Sequence, residues 1–153
     1  MNRLMLLVCL SVWASTALAG EKHKVAGTNT YMLQEKQWPV GGNSVFWTLD
    51  NVGTVDVKVS PLDFEAVECH GAGFWDWNGS RGEGICIFGE GSDKQVWAWK
   101  AEPGRKSTWK IIHATGKYTG ITGSGTHTTR TDDNYRVQKI RITDWQGEIE
   151  LPE

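Results

Sequence analysis

The sequence has few of the residues that mark a metalloprotein or a nucleic-acid-binding protein. It holds 3 cysteines and 4 histidines in 153 residues, and no histidines fall in a His-x-x-x-His or His-Glu-x-x-His pattern. Its 16 basic and 18 acidic residues give a net charge of −2, which argues against a polyanionic partner. We therefore expect no bound metal and no nucleic-acid partner.

Helical periodicity is also missing, since no run of ten residues repeats apolar side chains at three- and four-residue spacing. Short strand-forming runs instead alternate with turn sequences such as Asn78-Gly79 and Pro103-Gly104. This pattern predicts an all-β chain, a closed antiparallel β-barrel of about eight strands or, alternatively, a β-sandwich. The predicted strands are Lys24–Leu33, Ser44–Leu49, Val55–Val59, Phe64–Gly73, Glu83–Gly89, Gln95–Ala101, Thr108–Ala114, Lys117–Thr129, Tyr135–Thr143 and a short Glu148–Leu151.

The N-terminus has the pattern of a secretory signal peptide over residues 1–19. Arg3 precedes the apolar run Leu4–Val12, and Ala17-Leu18-Ala19 resembles a cleavage site before Gly20. The apolar run is too short to span a bilayer. We expect export to the periplasm or the extracellular space, no membrane anchor after cleavage, and one domain over residues 20–153.

Cleavage would remove Cys9 and leave two cysteines, Cys69 and Cys86. Two cysteines in an oxidising compartment favour a disulfide over a metal site. If Phe64–Gly73 and Glu83–Gly89 form a hairpin, the two cysteines lie nearly opposite each other, within bonding distance.

Glycine recurs in the stretch from Ile111 to Thr126, where Thr115-Gly116 reads as a turn between two strands. The stretch matches neither a P-loop nor a dinucleotide-binding motif, so we expect no cofactor. Glycine inside a strand marks a bend, a bulge or a close backbone approach. We expect a structural role for the glycines Gly116, Gly120, Gly123 and Gly125.

Tryptophan is unusually frequent, with 9 in the chain. Trp97 and Trp99 share one strand face, and buried indoles bring large apolar area. The indoles could fill the core, line a ligand cavity, or form an exposed platform for sugar rings. The candidate ligand-binding residues are Trp97, Trp99, Trp109, His113, Tyr118 and Glu83, the last because a carboxylate facing a lumen could act as an acid.

A family resemblance rests on three features of the sequence: Gly84-Ile-Cys86, Trp109 and the segment Thr115–Gly125. The sequence resembles uncharacterised secreted bacterial proteins of the allene oxide cyclase/dirigent-like β-barrel superfamily over roughly Phe64 to Thr126. It departs from them at Ala114, where glycine is common, and at the shortened acidic loop Glu90–Asp93. The resemblance implies a closed barrel with a central cavity, often assembled as a trimer. Catalytic residues of that superfamily do not align with this chain.

Three hypotheses for function follow. The first is a barrel that binds an apolar or aromatic small molecule in its lumen. This hypothesis leaves open a cofactor-free isomerase or cyclase-like activity. The barrel could assemble as a homo-oligomer, either a trimer or a dimer. The second is a carbohydrate-binding module that uses exposed tryptophans among Trp75, Trp77, Trp97 and Trp99. The third is a structural envelope protein without a ligand.

Overall fold

The computed structural model describes residues 20–59, 61–131 and 139–152. The predicted signal peptide and part of the predicted strand Tyr135–Thr143 lie outside these residues. Nine strands are present among them: β1 Lys22–Met32, β2 Glu35–Gly41, β3 Ser44–Val59, β4 Ala66–Asp76, β5 Gly79–Glu90, β6 Asp93–Ala101, β7 Ser107–Ala114, β8 Thr122–Thr131 and β9 Ile140–Glu150. Within the described ranges, no helix has the length and apolar character needed to cross a membrane.

The sheet closes on itself. From β3 to β9 each strand pairs antiparallel with the next in sequence, and β1 joins β9 on one side and the second half of β3 on the other. Strand β2 pairs only with the first half of β3 and extends the wall beyond β1. The molecule is therefore a closed eight-stranded antiparallel barrel with one extra strand. This confirms the predicted barrel and rules out the sandwich.

One long strand, β3, replaces the two short strands predicted on either side of Asn51-Val-Gly53. The Asn51 side chain accepts a hydrogen bond from the backbone amide of Gln34 at 3.1 Å, at the junction between β1 and β2. Gly53 is needed for close approach, because a Cβ there would lie 2.9 Å from the Tyr31 Cα. The turn-forming residues thus let one strand pair with two partners in succession.

The predicted hairpin of β4 and β5 is present, with Cys69 directly opposite Cys86. Their Cα atoms are 4.0 Å apart and their sulfur atoms lie at disulfide distance. The cross-link joins neighbouring strands and fixes their register near the middle of the barrel wall.

An apolar plug closes the end of the barrel at which β4 begins and β5 ends. Phe64 packs against Phe88 and Tyr118, with ring centroids 5.2 Å and 5.3 Å apart. The Tyr118 hydroxyl donates a hydrogen bond to the Asp63 carboxylate, and burial together with this carboxylate raises the pKa of Tyr118 to about 12. The other buried plug residues are Leu62, Ile121 and Ile149.

The connection from β7 to β8 differs from the predicted tight turn at Thr115-Gly116. A short 3₁₀ turn, Gly116–Tyr118, follows β7, and β8 begins only at Thr122. The strand prediction from Lys117 was wrong over its first residues, because Tyr118 turns into the plug instead of continuing a strand. Gly116 and Gly120 have φ angles of 59° and 86°, a region that glycine occupies without steric cost.

We expect Gly116→Ala to destabilise the fold by about 1–3 kcal/mol. The φ of 59° is strained for alanine, and its Cβ would lie 2.7 Å from the Ser92 carbonyl oxygen and against the Asp93 carboxylate. Thermal unfolding measures the effect. Gly91→Asn is the matched control, because Gly91 has a φ of 56° with open space around it and asparagine tolerates this region. Equal melting temperatures for both variants would contradict the structural role.

Candidate functional site

The end of the barrel opposite the plug opens into a cavity of about 970 Å³. This volume lies at the upper end of the range for sites that hold one small molecule. Inward-facing side chains of all eight barrel strands line it, together with Glu35 and Gln37 of β2. The indoles that line it are those of Trp47, Trp75, Trp97, Trp99, Trp109 and Trp145.

Three of these indoles lie over pairs of glycines that face each other across two strands. A Cβ at Gly84 would come within 2.7 Å of Trp99, and one at Gly82 within 2.5 Å of Trp47. The missing side chains let the large rings lie flat on the sheet and leave the centre of the barrel open. The three pairs are Gly73 with Gly82 beneath Trp47, Gly71 with Gly84 beneath Trp99, and Gly125 with Gly147 beneath Trp109.

The deeper indoles form a packed aromatic cluster. Trp97 stacks on Trp109 with ring centroids 4.0 Å apart and planes inclined by 18°. Trp145 meets Trp97 edge-on at 5.1 Å, and Phe88 lies 4.4 Å from Trp97. Such offset and edge-on arrangements are the favourable ones for aromatic rings. The cavity therefore has a rigid aromatic inner wall.

A chain of buried hydrogen bonds runs through this wall. Trp145 Nε1 donates to Asn29 Oδ1 at 2.8 Å, and Asn29 Nδ2 donates to the Tyr31 hydroxyl at 2.6 Å. The Tyr31 hydroxyl lies 3.2 Å from Cys69 Sγ. The hydroxyl is the donor of this hydrogen bond, because a disulfide sulfur carries no proton. Burial raises the pKa of Tyr31 far above its usual value, so this phenol stays protonated and serves as a neutral hydrogen-bonding group.

The mouth of the cavity is polar. Arg141 Nη2 lies 3.2 Å from Glu35 Oε2, with the two side chains 22% and 14% exposed. His127 also lines the cavity, and both of its ring nitrogens are shielded from solvent and have no hydrogen-bond partner within the described parts of the chain. Burial lowers the pKa of His127, so its imidazole is neutral near pH 7.

The sequence candidates separate into three groups. Trp97, Trp99 and Trp109 come together in the cavity wall. Glu83 and His113 are exposed and do not line the lumen, and Tyr118 lies in the plug at the closed end. Sequence reasoning missed Trp47, Trp145, Asn29, Tyr31 and Arg141 as cavity residues. Only correct assignment of the inward face of β1, β3 and β9 could have identified them.

A second aromatic surface lies on the outside of the barrel. The outer aromatic row, defined as Trp38, Phe46 and Phe74, crosses β2, β3 and β4 with ring centroids 5.7 Å and 5.3 Å apart. Trp77, 85% exposed, lies just beyond the end of β4, whereas Trp75, 56% exposed, faces the mouth of the cavity. Of the four tryptophans predicted for an exposed sugar platform, Trp75, Trp97 and Trp99 line the cavity, and Trp77 is the one that lies on the outer surface.

The structure defines the class of this protein as a small antiparallel β-barrel with an aromatic lumen. No protein-family model, no curated protein and no solved structure matches the chain. No cluster of three or more histidine, cysteine, aspartate or glutamate side chains suited to a metal ion occurs in residues 20–59, 61–131 and 139–152. The function must therefore be argued from the cavity itself.

Proposed function

We propose that the barrel binds an aromatic small molecule in its lumen. The observation that carries this proposal is a cavity of about 970 Å³, open at one end and lined by six indoles. A domain whose tryptophans served only as core would pack them together and leave no such space. The glycine pairs beneath Trp47, Trp99 and Trp109 hold these rings against the wall and out of the centre.

The placement of the polar groups also supports a binding site. Most of a ligand cavity is expected to be apolar, with a few polar groups that fix orientation. Asn29 and Tyr31 form buried hydrogen bonds with each other and with the Trp145 indole, and Arg141, opposite Tyr31 in the β1–β9 pairing, contacts Glu35. Such a cavity also fits the superfamily that the sequence resembles, and we propose membership on that basis.

Titration with the neutral fluorophore N-phenyl-1-naphthylamine tests the proposal. We expect saturable binding with quenching of the tryptophan emission. Trp99→Leu should weaken binding at least fivefold, because Trp99 lies in the cavity wall beside Trp47, with ring centroids 6.4 Å apart and planes inclined by 8°. Trp77→Leu is the control, since Trp77 lies outside the lumen. Absence of saturable binding, or equal loss in both variants, would overturn the proposal.

A carbohydrate site on the outer aromatic row is the alternative function. The exposure of Trp77 near this row favours it. The tilts between ring planes, 31° and 54°, argue against it, because sugar faces stack best on coplanar rings. Soluble polysaccharides that quench the parent protein but not Trp77→Leu would favour this alternative.

A further inference from the structure

The guanidinium of Arg141 has more hydrogen-bond donors than the protein satisfies. A guanidinium carries five N–H donors in a planar fork, and among the described residues Arg141 donates to one side-chain acceptor, Glu35. Its Nε is shielded from water and has no partner among the described residues. Buried donors without acceptors are rare in native proteins and call for an explanation. An acceptor supplied from the cavity would provide one.

The surrounding charges also favour an acidic group. Arg105 and Lys106 line the mouth together with Arg141, against two carboxylates, Glu35 and Glu102. Both carboxylates already have cationic partners: Glu35 pairs with Arg141, and Glu102 lies 2.8 Å from Lys100. Among the described lining residues, three cations thus outnumber two carboxylates, although the whole chain has a net charge of −2. Charge of this sign favours entry and binding of anions.

The arrangement along β9 sets the orientation of the ligand. Arg141, Thr143 and Trp145 are successive inward residues of this strand. Strand geometry separates the backbones of Arg141 and Trp145 by about 13 Å, with the cation towards the mouth and the indole inside. His127 lies opposite Trp145 on β8 and adds a second polar group without a partner. A molecule spanning this distance needs an aromatic inner end and an acidic outer end.

We infer that the lumen takes an aromatic carboxylic acid, with its ring system among the indoles and its carboxylate on the Arg141 guanidinium. This inference rests on the proposed function and specifies the chemical class of the ligand. Arginine is suited to the task because its fork binds carboxylates through two parallel hydrogen bonds. In this role Arg141 is a specificity-determining residue, and Glu35 orients it.

The test compares 2-naphthoate with 2-naphthamide, which has nearly the same shape and no charge. Calorimetric titration at low salt should show the acid binding at least tenfold more tightly than the amide. Two variants remove the guanidinium, namely Arg141→Gln and the doubly neutral Glu35→Gln/Arg141→Gln. Both should lose most of the preference for the acid, and their affinity for the amide should stay within about threefold of that of the parent protein. Arg130→Gln is the matched control, because it removes one arginine charge from a side chain that is 58% exposed and does not line the cavity.

Each outcome decides the question. Tight binding of both compounds without preference for the acid, or a preference that persists in both Arg141 variants, overturns the inference while lumen binding stands. Arg141→Lys should give an intermediate preference, since lysine keeps the charge but loses the fork. Failure of both compounds and of the neutral fluorophore to bind would overturn the proposed function as well. Thermal melts of every variant show that the comparison is made between folded proteins.

Discussion

Replacing Trp97 with alanine should destabilise the protein by about 3–5 kcal/mol. The Trp97 side chain is 2% exposed and contacts Trp109, Phe88 and Trp145 on different sides. Its indole N–H also donates to Gln95 Oε1 at 2.9 Å. Truncation would remove these contacts and leave a buried amide oxygen without its donor, which adds to the cost of the cavity.

Urea unfolding followed by circular dichroism measures this loss. Trp77→Ala is the control and should change the free energy of unfolding by no more than about 0.5 kcal/mol, because Trp77 is 85% exposed. The pair separates tryptophan that builds the barrel from tryptophan that only covers its surface. If Trp97→Ala unfolded at the same urea concentration as Trp77→Ala, the aromatic cluster would not be the structural core described here.

Local sequence patterns predicted the all-β barrel and the pairing of β4 with β5. Turn residues at Asn78-Gly79 and Pro103-Gly104 fix where strands end, and a hairpin around the first of these turns places Cys69 opposite Cys86. These features depend on residues close together in the chain. Prediction of Trp97 and Trp99 on one face also held, because side-chain direction alternates strictly along a strand.

The direction of the faces was harder to predict. In β9 the alternation of Ile140 and Ile142 with Arg141 is typical of a strand that buries its isoleucines and exposes its arginine to water. The structure reverses this, since Arg141 faces the lumen with Thr143 and Trp145. Alternation shows that a strand has two faces, but hydrophobicity identifies the inner one only when the interior is apolar. The mouth of this lumen is polar, so hydrophobic alternation assigns the wrong face of β9 to the interior.

The glycine pairs were only half predictable. The sequence indicated structural glycines, and close backbone approach was the correct reason at Gly123, where a Cβ would lie 2.7 Å from the Glu148 carbonyl oxygen. It could not show that Gly125 faces Gly147 beneath an indole. That relation depends on the register between β8 and β9 and on the position of Trp109 on a third strand. Local sequence patterns do not predict long-range register of this kind.

Gly125→Ala should therefore cost about 3 kcal/mol, towards the upper end of the range for overpacking. Its Cβ would lie 2.7 Å from the Gly147 Cα and 2.7 Å from Trp109 Cε2. The Trp109 ring cannot move away freely, because its Nε1 lies 3.2 Å and 3.3 Å from the carbonyl oxygens of Thr126 and Gln146. Thermal and urea unfolding measure the loss. Gly42→Asn, in an exposed turn with φ 60° and open space around it, should melt close to the parent.

A double-mutant cycle with Trp109→Leu separates the two clashes. Leucine removes the ring that the new methyl group would meet, whereas the neighbouring strand stays in place. Gly125→Ala should then cost at least about 1 kcal/mol less in the Trp109→Leu background than in the parent. An identical cost in both backgrounds would mean that only the β8–β9 backbone excludes a side chain at Gly125. In that case the glycine pairs would serve strand packing alone, and the open aromatic lumen would need another explanation.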